Sequence, residues 1–209
     1  MAKLKSTFPN MVISLTSITI VAAAALGCVY LFTQTAIAEQ QSAKQTAAIS
    51  AVLPEHERIA EPETVDGLTV YKAYTGEQFV GAAVETQADG FGGVIRLMVG
   101  FDADSHIVNY EVLEQQETPG LGTHIVEWFK NADKPRQNII GREATGTFTV
   151  SKDGGDVDAI TAATISSRAF LKAVNVAYSA YTQGEVQAAT GASQLTNNEE
   201  NIETEVNHE

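Results

Sequence analysis

The stretch Val157–Ser167, V-D-A-I-T-A-A-T-I-S-S, joins an apolar run to the start of a helix. It is the part of the sequence that says most about the fold and about a candidate site. From Arg168 to Gln183, apolar residues recur every three or four positions, which predicts a one-faced amphipathic helix. Ser166 or Ser167 is a natural N-cap, so we expect the helix to begin just after Thr164. Its apolar face is predicted to consist of Phe170, Val174, Ala177, Tyr178 and Tyr181.

The residues at this helix start allow two interpretations. Helix N-termini carry N–H groups without intrahelical acceptors and a partial positive charge, and both features favour a phosphate. Thr164 supplies a hydroxyl there, Asp158 is a nearby carboxylate that could orient or activate it, and small residues such as Ala163 leave room for a bulky group. Alternatively, Val157–Ile160 is a strand that enters an ordinary capped helix, with Thr161 and Thr164 bonded within the turn.

Other patterns that carry catalysis or metal binding do not occur in the sequence. The central stretch has neither the glycine spacing and lysine of a P-loop nor the glycines of a nucleophile elbow. The histidines, His56, His106, His124 and His208, are scattered without the spacing of metal ligands. We therefore assign no catalytic residue and no metal.

A second unusual stretch is Glu117–Gly122, E-T-P-G-L-G. Pro119 fixes one backbone dihedral angle and the two glycines permit positive φ, so this composition predicts a rigid loop that exposes backbone N–H groups. An ordinary connector to a helix over His124–Ala132 is the alternative. Leu121, a hydrophobic residue between two glycines, is unusual for a plain solvent loop.

Strand patterns dominate the region before this loop. Short turns separate the runs of β-forming residues, which predicts antiparallel neighbours, and the glycine-rich residues 87–93 predict a loop. A further short strand is expected at Thr147–Ser151. The predicted fold class is α+β, an antiparallel sheet with packed helices, whose main strands lie at 68–74, 78–85, 94–101 and 106–113.

The N-terminal segment is predicted to be a membrane anchor. Residues 7–38 carry no charge, and as a helix Met11–Phe32 would span roughly 33 Å, enough to cross a bilayer. Lys3 and Lys5 precede it, so we expect residues 1–10 in the cytoplasm, one uncleaved transmembrane anchor at 11–33 and the remainder exported. A signal peptide cleaved after Ala38 and a lipoprotein processed at Cys28 are the alternatives.

The exported part divides into three predicted regions. Residues 34–66 are a stalk and linker, in which a helical continuation ends at Pro54 and a charged segment follows. Residues 67–183 form the folded domain. Residues 184–209 are an acidic tail expected to be disordered.

Charge and cysteine content exclude several classes of function. The formal net charge is -13, and all 26 acidic residues lie beyond residue 38. Such a surface disfavours nucleic acid and anionic lipid headgroups as partners. The single cysteine lies in the apolar segment, so the rest of the chain has no disulfide and no thiolate metal site.

Together the two unusual stretches resemble a known family. Asp158–Ser167 is similar to the flavin-attachment motif of the FMN-binding domain family: Asp, small, aliphatic, Ser/Thr, Gly, Ala, Thr, any residue, Ser/Thr. E-T-P-G-L-G resembles a loop shared by the G subunit of Rnf electron-transport complexes and the C subunit of the sodium-translocating NADH:quinone oxidoreductase. The glycine-rich 90–93 turn and the single N-terminal apolar segment also fit. One departure is Ala162, where the family most often has glycine.

The resemblance implies that FMN is joined through its phosphate to the hydroxyl of Thr164 by a separate flavin transferase that uses FAD. It implies an electron-carrier subunit of an Rnf-type ion-translocating oxidoreductase, associated with the other subunits and with lipid through one helix, and facing the periplasm from the bacterial inner membrane. The residues expected to shape the FMN site around Thr164 are Thr161, Ala163, Asp158, Ser166, Glu117, Thr118, Gly120 and Leu121.

Two other functions remain open on the sequence. One is the C subunit of the sodium-translocating NADH:quinone oxidoreductase, which shares the loop. The other is a membrane-anchored binding module that holds no flavin.

Overall fold

The structure of the chain, a computed structural model, describes residues 7–183. The predicted acidic tail and residues 1–6 lie outside the described part. The described residues divide into two compact units, one ending at Lys44 and one beginning at Gln45. Within the described part of the second unit, an antiparallel sheet packs with helices, which confirms the predicted α+β class.

Helix α1, Phe8–Val52, is one continuous helix of 45 residues. It is long and apolar enough to cross a membrane, by length and composition. The predicted anchor at 11–33 lies within it, and its large apolar side chains are exposed. Pro54 follows the end of the helix, as predicted.

The last turns of α1 are packed onto the sheet of the second unit, although the sequence predicted a stalk there. Their apolar residues share one helix face, because positions three and four apart lie on the same side. Gly100 allows close approach, since a Cβ at that position would lie 1.8 Å from the carbonyl oxygen of Val52. The buried cluster comprises Ala48, Ile49, Val52 and Leu53 against Ala73, Ala83 and Met98.

Six antiparallel strands form the sheet, in the order β1-β3-β4-β5-β6 with β2 also paired to β3. The four strands predicted before residue 114 are confirmed. Two details are wrong. Residues 55–66, predicted as a linker, contribute β1 and β2, which satisfy the edge of β3 that would otherwise be unpaired. The strand predicted at 78–85 continues through Asp89, so the glycine-rich loop begins only at Gly90. The strands are β1 Arg58–Ile59, β2 Glu63–Val65, β3 Leu68–Thr75, β4 Gln78–Asp89, β5 Val94–Asp102 and β6 Ile107–Glu114.

Both faces of the sheet are covered. In β5 the alternate residues from Ile95 to Phe101 enter the main core, whereas Met98 points to the opposite face and packs with the end of α1. The alternation predicted for this strand is therefore confirmed, and the sheet is the middle layer of its unit.

Helix α2 begins at residue 164 and extends to residue 183, the last one described. Its predicted apolar face is confirmed: Phe170 stacks on Phe129 with ring centroids 4.4 Å apart, and the Tyr181 hydroxyl donates to the Asp102 carbonyl at 2.8 Å. The predicted N-cap is wrong, because Ser166 and Ser167 lie inside the first turn. Their hydroxyls bond to groups outside the usual capping positions.

The segment between β6 and α2 is less regular than predicted. The helix expected at 124–132 is replaced by two 3₁₀ helices, Gly122–Val126 and Trp128–Lys130. The Ile125 carbonyl, which an α-helix would pair with residue 129, instead accepts a hydrogen bond from the buried Tyr110 hydroxyl at 2.8 Å. The strand expected at 147–151 is reduced to a parallel bridge between Val150 and Val157.

Candidate functional site

A pocket with a volume of about 380 Å³ opens where three segments meet. These are the glycine-rich turn 90–93, the loop 117–122 and the start of α2. The pocket is therefore built by the two stretches that the sequence singled out, together with the turn after β4. Its lining consists of Phe91, Glu117, Thr118, Leu121, Gly122, Ala162, Ala163, Thr164, Ile165 and Ser166.

Glu117 joins all three segments. Its side chain is buried, with 4% of the residue exposed. One carboxylate oxygen accepts hydrogen bonds from the backbone N–H groups of Phe91 and Gly92, at 2.9 and 3.1 Å. The other accepts from the Ser166 hydroxyl at 2.5 Å. Because both oxygens are bonded to protein donors, the carboxylate holds the walls of the pocket together.

Glycines make room for this carboxylate. A Cβ at Gly90 would lie 2.1 Å from Glu117 Oε1. At Gly122 it would lie 2.6 Å from Glu117 Oε2 and 2.7 Å from the Ser166 hydroxyl oxygen. Any larger residue at either position would displace the bonds that close the pocket.

The loop 117–122 is held by bonds within itself. The N–H of Leu121 donates to the Thr118 carbonyl at 3.1 Å, and the N–H of Gly120 donates to the Thr123 hydroxyl at 3.1 Å. Gly120 has a φ of 75°, as its predicted role in a tight turn requires. These internal hydrogen bonds are consistent with the tight loop that its composition predicts, but the two N–H groups bond within the turn and are not presented to a ligand. The prediction that the loop exposes its N–H groups is wrong for both.

Thr164 is the first residue of α2 and lies half-buried in the pocket wall. Its hydroxyl oxygen accepts a hydrogen bond from the Lys152 ammonium at 3.1 Å. As the first residue of a helix it also lies beside N–H groups that lack intrahelical acceptors. A hydroxyl, a cation and a helix start therefore meet at one edge of the pocket.

Ala162 adopts a left-handed conformation, with φ at 61°. Residues other than glycine pay roughly 1 kcal/mol or more in this region. This explains why glycine suits the position in the resembling motif. Alanine keeps the backbone geometry here with some strain.

Large apolar side chains border the pocket mouth. Phe91, Ile165 and Leu121 are 68%, 50% and 40% exposed. A pocket with an apolar rim and a polar edge at Thr164 has the composition of a small-molecule site, whose volumes run from roughly 300 to 1,000 Å³.

The structure brings together most of the predicted site residues. Thr164, Ala163, Ser166, Glu117, Thr118 and Leu121 line the pocket, and Gly120 lies in the loop beside it. Two predicted residues lie elsewhere. The Asp158 carboxylate accepts a hydrogen bond from Arg136 Nε at 3.2 Å and does not line the pocket, so it is not placed to activate Thr164. Thr161 is exposed and also lies outside the lining.

Five residues at the site were not among the predicted site residues. Phe91 had only its position between glycines as a signal, and Gly122 was quoted within the loop without a role. Lys152 gave no signal, because it lies twelve residues before Thr164 in an ordinary turn. The others are Ala162 and Ile165. Across residues 7–183, no group of three or more His, Cys, Asp and Glu side chains is arranged to hold a metal ion.

Comparison with known proteins agrees with this geometry. Residues 90–179 match the family described as FMN-binding domain, and this range contains every residue that lines the pocket. The chain is 32% identical to the G subunit of the ion-translocating oxidoreductase complex of Shewanella amazonensis, covering 77% of this chain and 82% of that protein. It is 34% identical to the corresponding G subunit of Yersinia pestis and 35% identical to that of Escherichia coli, each covering 68% of this chain and 75% of the relative.

Proposed function

The chain belongs to the family of G subunits of ion-translocating oxidoreductase complexes and contains an FMN-binding domain, and from this we propose that it carries electrons through FMN bound covalently to Thr164. The observation that carries the proposal is the position of the Thr164 hydroxyl at the edge of the apolar-rimmed pocket, 3.1 Å from the Lys152 ammonium.

The residues present fit this cofactor in two ways. A phosphate group needs positive charge and N–H donors, and the start of α2 with Lys152 offers both. A flavin ring is a large aromatic surface, and Phe91, Leu121 and Ile165 offer exposed apolar contacts at the pocket mouth. Glu117 and its glycine neighbours keep these two parts of the site at a fixed separation.

The attachment is a phosphoryl transfer without a change of oxidation state. Thr164 Oγ forms a bond to the flavin phosphate of FAD, while the phosphoanhydride bond to adenosine monophosphate breaks. Adenosine monophosphate leaves and the hydroxyl proton is released. We assign the catalysis of this transfer to a separate flavin transferase, as the resemblance of the attachment motif implies.

Once bound, FMN would supply the redox chemistry, and the chain would supply attachment, orientation and protection of the ring. Thr164 tethers the phosphate. The loop 117–122 and the turn 90–93 fix the direction in which the pocket opens. The substrate is an electron, so no general acid or base among the site residues is needed.

The proposal extends to the location of the protein. Helix α1 anchors the chain to a membrane, and the lysines before it favour a cytoplasmic N-terminus. The folded unit then faces the periplasm, where a covalent tether prevents loss of the cofactor by diffusion. Its partners are the other subunits of the complex.

The covalent bond is tested by following flavin through denaturation. The full chain is coexpressed with a flavin transferase, and the denatured protein is examined by in-gel fluorescence and intact mass. We expect a fluorescent band and a mass increase of one FMN less one water. Thr164→Val should abolish both signals, whereas Thr161→Val, an exposed threonine outside the pocket, should retain them. A dark wild-type band, or a fluorescent Thr164→Val band, would overturn the proposal.

A further inference from the structure

We propose that Lys152 is the residue that neutralises the phosphodiester on Thr164. The inference rests on the proposed attachment at Thr164. It adds a phosphate-binding residue that lies outside both the flavin-attachment stretch and the loop 117–122.

The geometry begins with the contact itself. Lys152 Nζ donates to Thr164 Oγ1 at 3.1 Å, although the lysine is exposed and its long side chain would otherwise extend into water. A phosphorus atom bonded to this oxygen would carry its charged oxygens one bond further out. The ammonium can reach them by a small rotation of its flexible stem.

The turn that carries Lys152 is fixed to α2. Lys152 lies in the 3₁₀ helix Ser151–Asp153. Both carboxylate oxygens of Asp153 accept hydrogen bonds from Arg168, each at 2.6 Å. Arg168 follows Thr164 by one helical turn, so this bidentate pair ties the lysine's turn to the helix that bears the threonine.

The other end of the turn is also held. The N–H of Ser151 donates to the Val157 carbonyl at 2.7 Å. Gly154 closes the turn with a φ of 89°. The hydrogen bond at Ser151 and the turn at Gly154 fix the backbone on both sides of Lys152. The region that its side chain can reach is therefore set by the fold of this turn.

The charges near Thr164 favour Lys152 as the residue that binds the phosphate. A phosphodiester carries one negative charge, and the whole chain has a formal net charge of -13, so a cation beside the phosphate offsets unfavourable charge. The nearby Arg168 is bonded through both its Nε and one terminal nitrogen to Asp153. Lys152 is therefore the cation whose charge is directed at the Thr164 oxygen.

The test measures the initial rate at which the purified full chain, in detergent with flavin transferase and FAD, becomes fluorescent. Since a charge-assisted hydrogen bond to phosphate is lost, Lys152→Met should lower this rate by about tenfold. Lys152→Arg should restore most of the rate. Lys172→Met removes a lysine further along α2 and should load at the wild-type rate.

A second measurement separates phosphate binding from folding and from recognition by the transferase. In chain allowed to load to completion, the ³¹P resonance of the phosphodiester should shift in Lys152→Met and not in Lys172→Met. The thermal midpoint of the unloaded variants should equal that of the wild type.

The two proposals fail in different ways. A wild-type chain that never loads would overturn the proposed function. A wild type that loads together with a Lys152→Met variant of equal rate and unchanged ³¹P resonance would overturn the role of Lys152 alone. A slow rate with an unchanged resonance would assign Lys152 to the transferase contact and would also overturn the inference.

Discussion

The Ser166 hydroxyl donates a hydrogen bond to Glu117 Oε2 at 2.5 Å, and this bond connects the first turn of α2 to the loop 117–122. The same carboxylate holds the turn 90–93 through two backbone N–H groups. Three segments that are distant in sequence are thereby fixed around one pocket, and four predictions test the forces that hold the site and its domain.

The hydrogen bonds of the Glu117 side chain should contribute more to stability than its negative charge does. In Glu117→Gln the amide oxygen can accept from the Phe91 and Gly92 N–H groups while its NH₂ donates to Ser166, so the free energy of unfolding should fall by about 1 kcal/mol or less. Glu117→Ala removes all three hydrogen bonds and leaves the buried Ser166 hydroxyl without this acceptor, so it should cost about 3 kcal/mol. Urea unfolding in detergent measures both values. An equal loss in the two variants would contradict the hydrogen-bond explanation.

Replacing Ala162 by glycine should stabilise the chain. Its φ of 61° lies in the left-handed region, where alanine is strained. We expect a gain of about 0.5–1 kcal/mol in the free energy of unfolding, part of the strain being offset by the greater freedom of glycine in the unfolded chain. Ala163→Gly is the control, because the buried Ala163 has no positive φ and its replacement should destabilise. A loss of stability in Ala162→Gly would contradict the assignment of strain.

Arg168 should control the titration of Asp153. The hydrogen bonds from Arg168 hold the pKa of Asp153 below its usual range, opposed by desolvation and aided by the charges of Arg168 and Lys152. In Arg168→Met the pKa of Asp153 should rise toward that of an ordinary aspartate, as measured from its ¹³C carboxyl resonance. Because the folded-state pKa is the lower one, the pair stabilises above the ordinary aspartate pKa, and this contribution is lost as the pH falls through the folded value. No change in the titration would show that the pair is broken in solution.

The end of α1 should contribute to the stability of the folded unit. Val52 is fully buried against the sheet, so Val52→Ala should lower the free energy of unfolding by about 2 kcal/mol. Ser50, two residues earlier, is exposed, and Ser50→Ala should change it by no more than about 0.5 kcal/mol. If Val52→Ala unfolded at the wild-type urea concentration, the last turns of α1 would be a stalk, as the sequence predicted.

The sequence by itself determined the features that repeat over short distances. The strand alternation from Ile95 to Phe101 and the apolar face of α2 were predicted correctly, because a period of two or 3.6 residues is written in neighbouring side chains. The apolar length of α1 was equally visible. Thr164 was singled out by its hydroxyl at a helix start and by the resemblance of its motif, and its attachment to FMN stays a prediction.

The tertiary structure decided what depends on contacts between distant segments. The helix expected at 124–132 is instead two 3₁₀ helices, and the Ile125 carbonyl between them accepts a hydrogen bond from the Tyr110 hydroxyl of β6. Asp158 lies close to Thr164 in sequence but pairs with Arg136, while Lys152 reaches the threonine from a separate turn. Glu117 holds three segments together through partners that lie 25 to 49 residues away, so no local sequence pattern could reveal this role. Local patterns determine the long, regular strands and helices, whereas the competition of each polar group for its best partner, and the irregular segments that depend on it, are resolved only when the whole chain is packed.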